Sequence, residues 1–129
     1  MYPQAALITL LTVLLIGAAM FLVGKARMRF GIQAPATSGN PEFERVFRAH
    51  QNTLEATMMF LPALWVATLY CNQFWAAMLG YAWLVGRAWY LAAYVRPTGN
   101  RGSGFTIALV ANVALLLWGL YGIVPHLAG

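Results

Sequence analysis

The chain has 129 residues, of which 61% are hydrophobic and only 9% are charged, and its formal net charge is +5. A soluble domain usually carries about 25% charged residues, so this composition excludes an ordinary soluble protein and indicates a membrane protein. The basic excess alone would fit a nucleic-acid-binding protein, but in so apolar a chain it fits membrane topology and an anionic ligand better, and no nucleic-acid partner is expected.

The first predicted helix is the uninterrupted apolar run of residues 5–24, which is long enough to cross a bilayer core of about 30 Å. A signal peptide is the alternative, but no positive charge precedes the run, and it exceeds the usual apolar region of about 7–15 residues. A retained helix is therefore preferred. Three further spans are predicted near residues 53–71, 74–94 and 105–124. They leave no room for a soluble domain, so one transmembrane domain over residues 1–129 is expected.

The second predicted helix has a clear start. Asn40 is suited to cap it, Pro41 to occupy its first position, and Glu42 to complement its positive end. A helix from Pro41 to about Cys71 is roughly 45 Å long, so its charged first turns lie at or below the membrane interface. Almost no loop separates it from the third helix, and the two should form an antiparallel hairpin.

Polar residues on the second and third helices recur at helical spacing. In the second helix, steps of three and four place four of them on one face: Arg45, Arg48, Asn52 and Glu55. In the third, the same steps join Arg87, Tyr90 and Tyr94. If both helices are regular, the hairpin sets three pairs level with each other: Glu55 with Arg87, Asn52 with Tyr90, and Arg48 with Tyr94. This polar ladder offers both signs of charge, an amide and two phenols.

The ladder has three interpretations. It is an interfacial polar collar in which Glu55 and Arg87 form a structural ion pair, a proton or ion relay in a small transporter subunit, or the wall of a pocket for a zwitterionic ligand with more than one carboxylate. A charge about two turns inside a membrane helix costs a few kcal/mol on insertion scales, which favours a functional role for Arg87. The peptide-sized ladder favours the pocket over the relay.

The basic residues are unevenly distributed. The first connection is flanked by Lys25, Arg27, Arg29, Arg45 and Arg48, and the third contains Arg96 and Arg101, while the termini and the second connection contain no Lys or Arg. Because basic residues mark cytoplasmic loops, we expect an up-down-up-down bundle with both termini on the opposite side and the ladder towards the cytoplasm.

The ladder segment resembles a known signature. "PEFERVFRAHQNTLE" at residues 41–55 is similar to the pattern FERVxRAxxNxxE of the MAPEG family, membrane-associated proteins in eicosanoid and glutathione metabolism. The closest branch is that of microsomal glutathione transferases and leukotriene C synthase, and "ARMRF" and "GRAWYLAAYVR" extend the match over nearly the whole chain. The resemblance implies a four-helix, all-α membrane protomer that assembles as a homotrimer, with glutathione between protomers near the cytosolic side.

Carried over by position, the resemblance assigns roles to particular residues. It implies that glutathione is contacted within one protomer by Arg48, Asn52, Glu55, Tyr90 and Tyr94, and from the neighbouring protomer by Arg27 and His50. Arg101 matches the arginine expected to stabilise the glutathione thiolate, and it lies in "RPTGNRGSG", a predicted flexible loop. Ala56 departs from the leukotriene-type enzymes, which carry a ligand-contacting Tyr there, and argues against a leukotriene substrate.

The preferred function is a membrane glutathione transferase that conjugates glutathione, its co-substrate, to hydrophobic electrophiles entering from the lipid, with glutathione peroxidase activity on lipid hydroperoxides as a further expectation. The alternative is a non-catalytic member that binds lipid and presents it to a partner. The sequence has no metal-ligand spacing, so no metal is expected.

Overall fold

The protein is a bundle of four helices. The computed structural model describes residues 1–94, 96 and 101–128; the side chain of Arg101 is outside the described part. The helices are α1 (Pro3–Phe30), α2 (Pro41–Tyr70), α3 (Gln73–Tyr94) and α4 (Arg101–Leu127). α2 and α3 each contact the other three helices, so they form the centre of the bundle with α1 and α4 on its flanks.

Three of the helices are long and apolar enough to cross a membrane: Pro3–Phe30, Pro41–Tyr70 and Gly102–Leu127. α3 has a sufficient length of 22 residues, but Arg87 and its several Tyr and Trp side chains make it less apolar. Composition thus supports three of the four predicted spans, while α3 lies among the other helices with its one charged residue turned inward.

The predicted start of α2 is confirmed. The Asn40 side chain accepts hydrogen bonds from the backbone N–H groups of Glu42 and Phe43, at 2.9 and 3.1 Å. Pro41 occupies the first helical turn, where its missing N–H costs nothing. The α2–α3 hairpin is confirmed as well, since α3 begins three residues after α2 ends, and Asn72 caps it by accepting from Phe74 and Trp75.

α4 starts one turn earlier than predicted. Residues 101–104 were expected to belong to the flexible loop "RPTGNRGSG", but they form the first turn of the helix. The reason is a close helix–helix approach. A Cβ added to Gly104 would lie only 2.6 Å from both the carbonyl oxygen of Gly86 and the backbone nitrogen of Tyr90. Gly104 is thus a packing residue that brings the start of α4 against α3.

The bundle core is tightly packed where α1, α2 and α3 meet. Phe60 of α2 and Trp83 of α3 stack with ring centroids 3.8 Å apart, and both are almost completely buried. Gly80 lets Ile8 and Leu64 approach α3, because a Cβ there would lie 2.8 and 3.1 Å from their methyl groups. These contacts fix how the hairpin is turned against its neighbours.

We predict that Gly104→Ala destabilises the protein by about 1–3 kcal/mol, because the added methyl group would force α3 and α4 apart. Gly24→Ala is the matched control: Gly24 is also helical but has no atom within 4 Å of an added Cβ, so the change should be neutral or stabilising by about 0.5–1 kcal/mol. Unfolding in detergent measures both. Equal stability of the two variants would show that the α3–α4 approach tolerates a side chain.

Candidate functional site

A polar groove runs along the outer face of α2 near its N-terminal end. It encloses about 320 Å³, in the lower range of small-molecule sites. Its lining combines the connection before α2 with one face of the helix: Thr37, Glu44, Phe47, Arg48, Gln51, Asn52 and Glu55. Arg48 and Glu55 are both exposed and lie about two turns apart, so the groove presents a cation and an anion to the same ligand.

A hydrogen bond joins this groove to α3. The Asn52 side-chain amide donates to the Tyr90 hydroxyl at 2.7 Å, which confirms the expected pairing of these two residues. Tyr90 is 3% exposed, and its ring lies 5.1 Å from that of Tyr94 and 6.2 Å from that of Phe105 in α4. Tyr90 therefore lies behind Asn52, at the back of the groove, and links this side of α2 to α4 without itself lining the groove.

Arg87 is buried behind Tyr90 and is only 2% exposed. Its Nη2 donates to the hydroxyl of Thr53 at 2.9 Å, and its guanidinium carbon lies 4.1 Å from the centroid of the Tyr90 ring. A cation over an aromatic face is favourable, more so when water is excluded. Arg87 is thus held by a neutral hydroxyl and a ring.

The expected ion pair between Glu55 and Arg87 does not form. Thr53 and Glu55 are two positions apart on α2, and two helical steps of 100° turn their side chains roughly 160° away from each other. The face that carries Thr53 meets α3, whereas Glu55 points out into the groove and is exposed. Arg87 therefore meets the face of α2 that carries Thr53, whereas Glu55 lies on the face that lines the groove.

Neither Arg27 nor Arg45 lines the groove of its own protomer. Arg27 donates to the carbonyl oxygens of Ala36 at 2.7 Å and Ile32 at 3.4 Å, and it lies over the Phe43 ring at 5.0 Å, so it fastens the α1–α2 connection of its own protomer. Arg45 shares a helical face with Arg48 by spacing but does not line the groove. Its Nε is buried and has no hydrogen-bond partner among the described residues.

His50 points away from the groove. It lies two positions from both Arg48 and Asn52, which places it on the opposite side of α2. It is half-buried, with its ring 6.4 Å from that of Phe47, and its Nδ1 is buried and unpartnered within the described part of the chain. His50 therefore does not line the groove of its own protomer and approaches it only through Phe47.

Arg101 is the first residue of α4, and the stabilising role expected of its side chain falls outside the described atoms. The position of the helix start is informative by itself. Gly104 is in contact with the backbone of Tyr90, so the positive end of the α4 dipole lies beside the back of the groove. Such an end favours a bound anion.

Sequence reasoning missed two residues that shape the site. Thr53 holds Arg87, and Phe105 contacts Tyr90 from α4. Thr53 follows Asn52 directly, and a search for hydroxyls on the α2 face that packs on α3 would have found it. For Phe105 no such signal exists, because it looks like any other lipid-facing aromatic residue. No cluster of three or more metal-ligating side chains occurs within residues 1–94, 96 and 101–128.

Comparison with known proteins places these features in a family. Residues 5–121 match the MAPEG family. The chain is 43% identical over 101 residues to microsomal glutathione S-transferase 2 of Homo sapiens, covering 78% of this chain and 69% of that protein. It is 40% identical over 122 residues to an uncharacterized protein of Synechocystis sp., covering 95% and 89%. It is 37% identical over 121 residues to leukotriene C4 synthase of Rattus norvegicus, covering 94% and 81%.

We predict that Thr53→Val destabilises the protein by about 1–3 kcal/mol, because it leaves a buried N–H of Arg87 without an acceptor. Thr57→Val is the matched control. Thr57 is buried on the same helix, but its hydroxyl donates only to a carbonyl one turn earlier, at 2.8 Å, so its loss should cost less. Unfolding in detergent compares them.

The contact between Thr53 and Arg87 can also be tested by combining substitutions at both residues. In an Arg87→Met background the cost of Thr53→Val should largely disappear, since no cation remains to be satisfied. An unchanged cost in that background would show that Thr53 acts through packing alone.

Proposed function

The chain belongs to the MAPEG family, and on that basis we propose that it is a membrane glutathione transferase that conjugates glutathione to hydrophobic electrophiles. The polar groove is the observation that carries this proposal. Glutathione has two carboxylates, one ammonium group and a thiol, and the groove offers Arg48 for a carboxylate, Glu55 for the ammonium and Asn52 for the peptide amides. The name of the 43% identical human relative identifies a glutathione transferase.

The chemistry requires a thiolate. A thiol with a pKa of about 8.5 is mostly protonated at neutral pH, and only its thiolate is a good nucleophile. In the proposed mechanism, the guanidinium of Arg101 and the positive end of α4 lower the pKa of the bound thiol. The sulfur then attacks an electrophilic carbon, a carbon–sulfur bond forms, and a leaving group such as chloride departs with its electron pair. Tyr90 and Tyr94 form the wall behind the reacting peptide.

We further propose that the site is completed by a second copy of the chain in a homotrimer. His50 faces away from the groove of its own protomer, so a role in glutathione binding requires the groove of a neighbour. Arg27 has the same proposed role, and the Nη1 that fastens its own connection leaves further guanidinium N–H groups to donate to a carboxylate. Basic residues at the α1–α2 end favour a cytoplasmic position for the groove, with both termini on the opposite side.

The electrophile is proposed to enter from the bilayer, where apolar side chains of all four helices are exposed. Peroxidase activity on lipid hydroperoxides is part of this proposal. The same thiolate attacks the terminal peroxide oxygen, the O–O bond breaks, and the lipid alkoxide leaves and takes up a proton to become an alcohol. A second glutathione then converts the glutathione sulfenic acid to the disulfide and releases water. The second candidate is a non-catalytic lipid-binding protein, and the apolar groove of about 350 Å³ between α2 and α4 favours it. The charged groove favours the enzyme, because an acyl chain needs neither Arg48 nor Glu55.

We expect purified protein in detergent to develop the ultraviolet absorbance of a thiolate when glutathione is added, and to conjugate 1-chloro-2,4-dinitrobenzene. Arg101→Ala should raise the pH midpoint of conjugation by about one unit and lower the rate at neutral pH about tenfold. Arg96→Ala is the control, since this exposed arginine lies in the connection just before α4, five residues from Arg101. A wild-type protein that forms neither thiolate nor conjugate contradicts the enzyme proposal, and equal pH profiles for wild type and Arg101→Ala remove Arg101 from it.

A shared site predicts complementation between two variants. Arg27→Ala and Glu55→Gln should each be poorly active alone, because every site lacks one group. In equal, randomly mixed trimers, about a quarter of the sites combine an intact groove with an intact neighbour, so about a quarter of the wild-type conjugation rate should return. Separate unfolding curves check that each variant is folded. Activity that stays at the sum of the separate variants contradicts a site shared between protomers.

A further inference from the structure

A small crevice lies between α2, α3 and α4, on the other side of Tyr90 from the polar groove. It encloses about 100 Å³ and is mostly apolar, with Met59, Trp83 and Phe105 among its lining residues. Two polar side chains, Arg87 and Asn112, also line it. The groove described above uses neither of them.

Both polar side chains have an unsatisfied atom. Nε of Arg87 and Oδ1 of Asn112 are buried, and neither has a hydrogen-bond partner among the described residues. An unpaired buried donor or acceptor costs about 1–3 kcal/mol, so two of them in one crevice need an explanation. The two atoms are complementary in kind: one is a donor and the other an acceptor.

The crevice continues into a longer apolar groove. Met59 lines both, and the second groove, of about 350 Å³, runs between α2 and α4 past Ala63 and Leu115 to Leu120. From Asn112 to Leu120 the helix rises about 12 Å, the length of an extended chain of about nine or ten carbons. The polar couple of Arg87 and Asn112 thus lies at one end of a groove suited to an alkyl chain.

This polar end is also the end nearest the glutathione groove. Arg87 lies over the Tyr90 ring, and Phe105 contacts the same ring from the crevice side. Asn52 bonds the Tyr90 hydroxyl from the polar groove. Tyr90 therefore contacts residues that line each of the two compartments, and the polar couple belongs to the part of the apolar space that is nearer to the glutathione groove.

We propose that Arg87 and Asn112 bind the hydroxyl group of an electrophile with an alkyl chain. The hydroxyl oxygen accepts a hydrogen bond from Nε of Arg87, and its hydrogen is donated to Oδ1 of Asn112, so a single group satisfies both atoms. A carboxylate would satisfy Arg87 but would set an acceptor against the acceptor of Asn112, and an ether has no hydrogen to donate. The substrate class in this inference rests on the proposed glutathione transferase function. The binding of a hydroxyl group by Arg87 and Asn112 does not depend on that function.

Binding is tested with two isomers of equal size, 1-decanol and 1-methoxynonane, followed by tryptophan fluorescence in detergent, since Trp83 lines the crevice. The Trp83→Phe variant shows which part of the fluorescence change comes from Trp83. Wild type should bind the alcohol about fivefold more tightly than the ether, the effect of one hydrogen bond. Asn112→Leu should abolish this preference, whereas Leu109→Ala, which reshapes the crevice but keeps both polar atoms, should retain it. Equal binding of the two isomers by wild type means that the couple holds only water and overturns the inference, and this comparison needs no variant.

Conjugation is tested with 4-hydroxy-2-nonenal and 2-nonenal. The thiolate adds to the β-carbon of either alkenal, the electron pair of the double bond moves to the carbonyl as an enolate, and the enolate takes up one proton; nothing leaves. Wild type should prefer the hydroxyalkenal in kcat/KM relative to the uncatalysed rates, and Asn112→Leu should lower that ratio about fivefold. A ratio unchanged in Asn112→Leu overturns the assignment of Asn112. If wild type prefers the alcohol in binding but conjugates neither alkenal, the transferase proposal fails while the hydroxyl site is supported.

Discussion

The arrangement of the site depends on how closely α3 and α4 approach each other. Gly86 and Gly104 face one another, and their backbones come so near that a methyl group on either would meet backbone atoms at 2.6 to 2.9 Å. Lipid tails are as apolar as Leu, so membrane helices gain little from the hydrophobic effect and associate through such close packing. This contact brings the first turn of α4 against Tyr90, and Phe105 follows Gly104 directly. Without it, neither the positive helix end nor the crevice wall would reach α3.

The second constraint is a buried cation without an acidic partner. The chain has only three acidic residues, and all of them are exposed on α2. Arg87 instead relies on the Thr53 hydroxyl and the face of Tyr90. Both contacts also fix Tyr90 and the α2–α3 register, so the arginine orders the wall between the two compartments. A charge at the centre of a membrane helix costs about 2.5–3.5 kcal/mol on insertion scales, a cost that an uncharged residue would not incur.

The sequence allowed much of the fold to be predicted, but less of the site. Axial spacing along the hairpin correctly set Asn52 against Tyr90, because height along a helix follows directly from residue number. The pairing of Glu55 with Arg87 was wrong, because height alone does not say which side of α2 meets α3; that is decided by packing such as Phe60 on Trp83. The start of α4 was placed too late because a glycine needed for close packing has the same local signature as a glycine in a loop. His50 and Arg27 cannot be assigned from one chain at all if their ligand lies in another.

These features explain why α2 is polar on one face and apolar on the next. Under the proposed function, the protein must bring a highly charged peptide and a lipid-soluble electrophile to one point, although each is insoluble in the other's surroundings. Here the charged groove of Arg48 and Glu55 and the apolar crevice of Met59 lie on neighbouring faces of the same helix. Tyr90 stands between them with its hydroxyl bonded to the polar side and its ring packed on the apolar side. An amphipathic residue suits that position. A fully apolar side chain would lose the hydrogen bond to Asn52, and a fully polar one would lose the packing against Phe105.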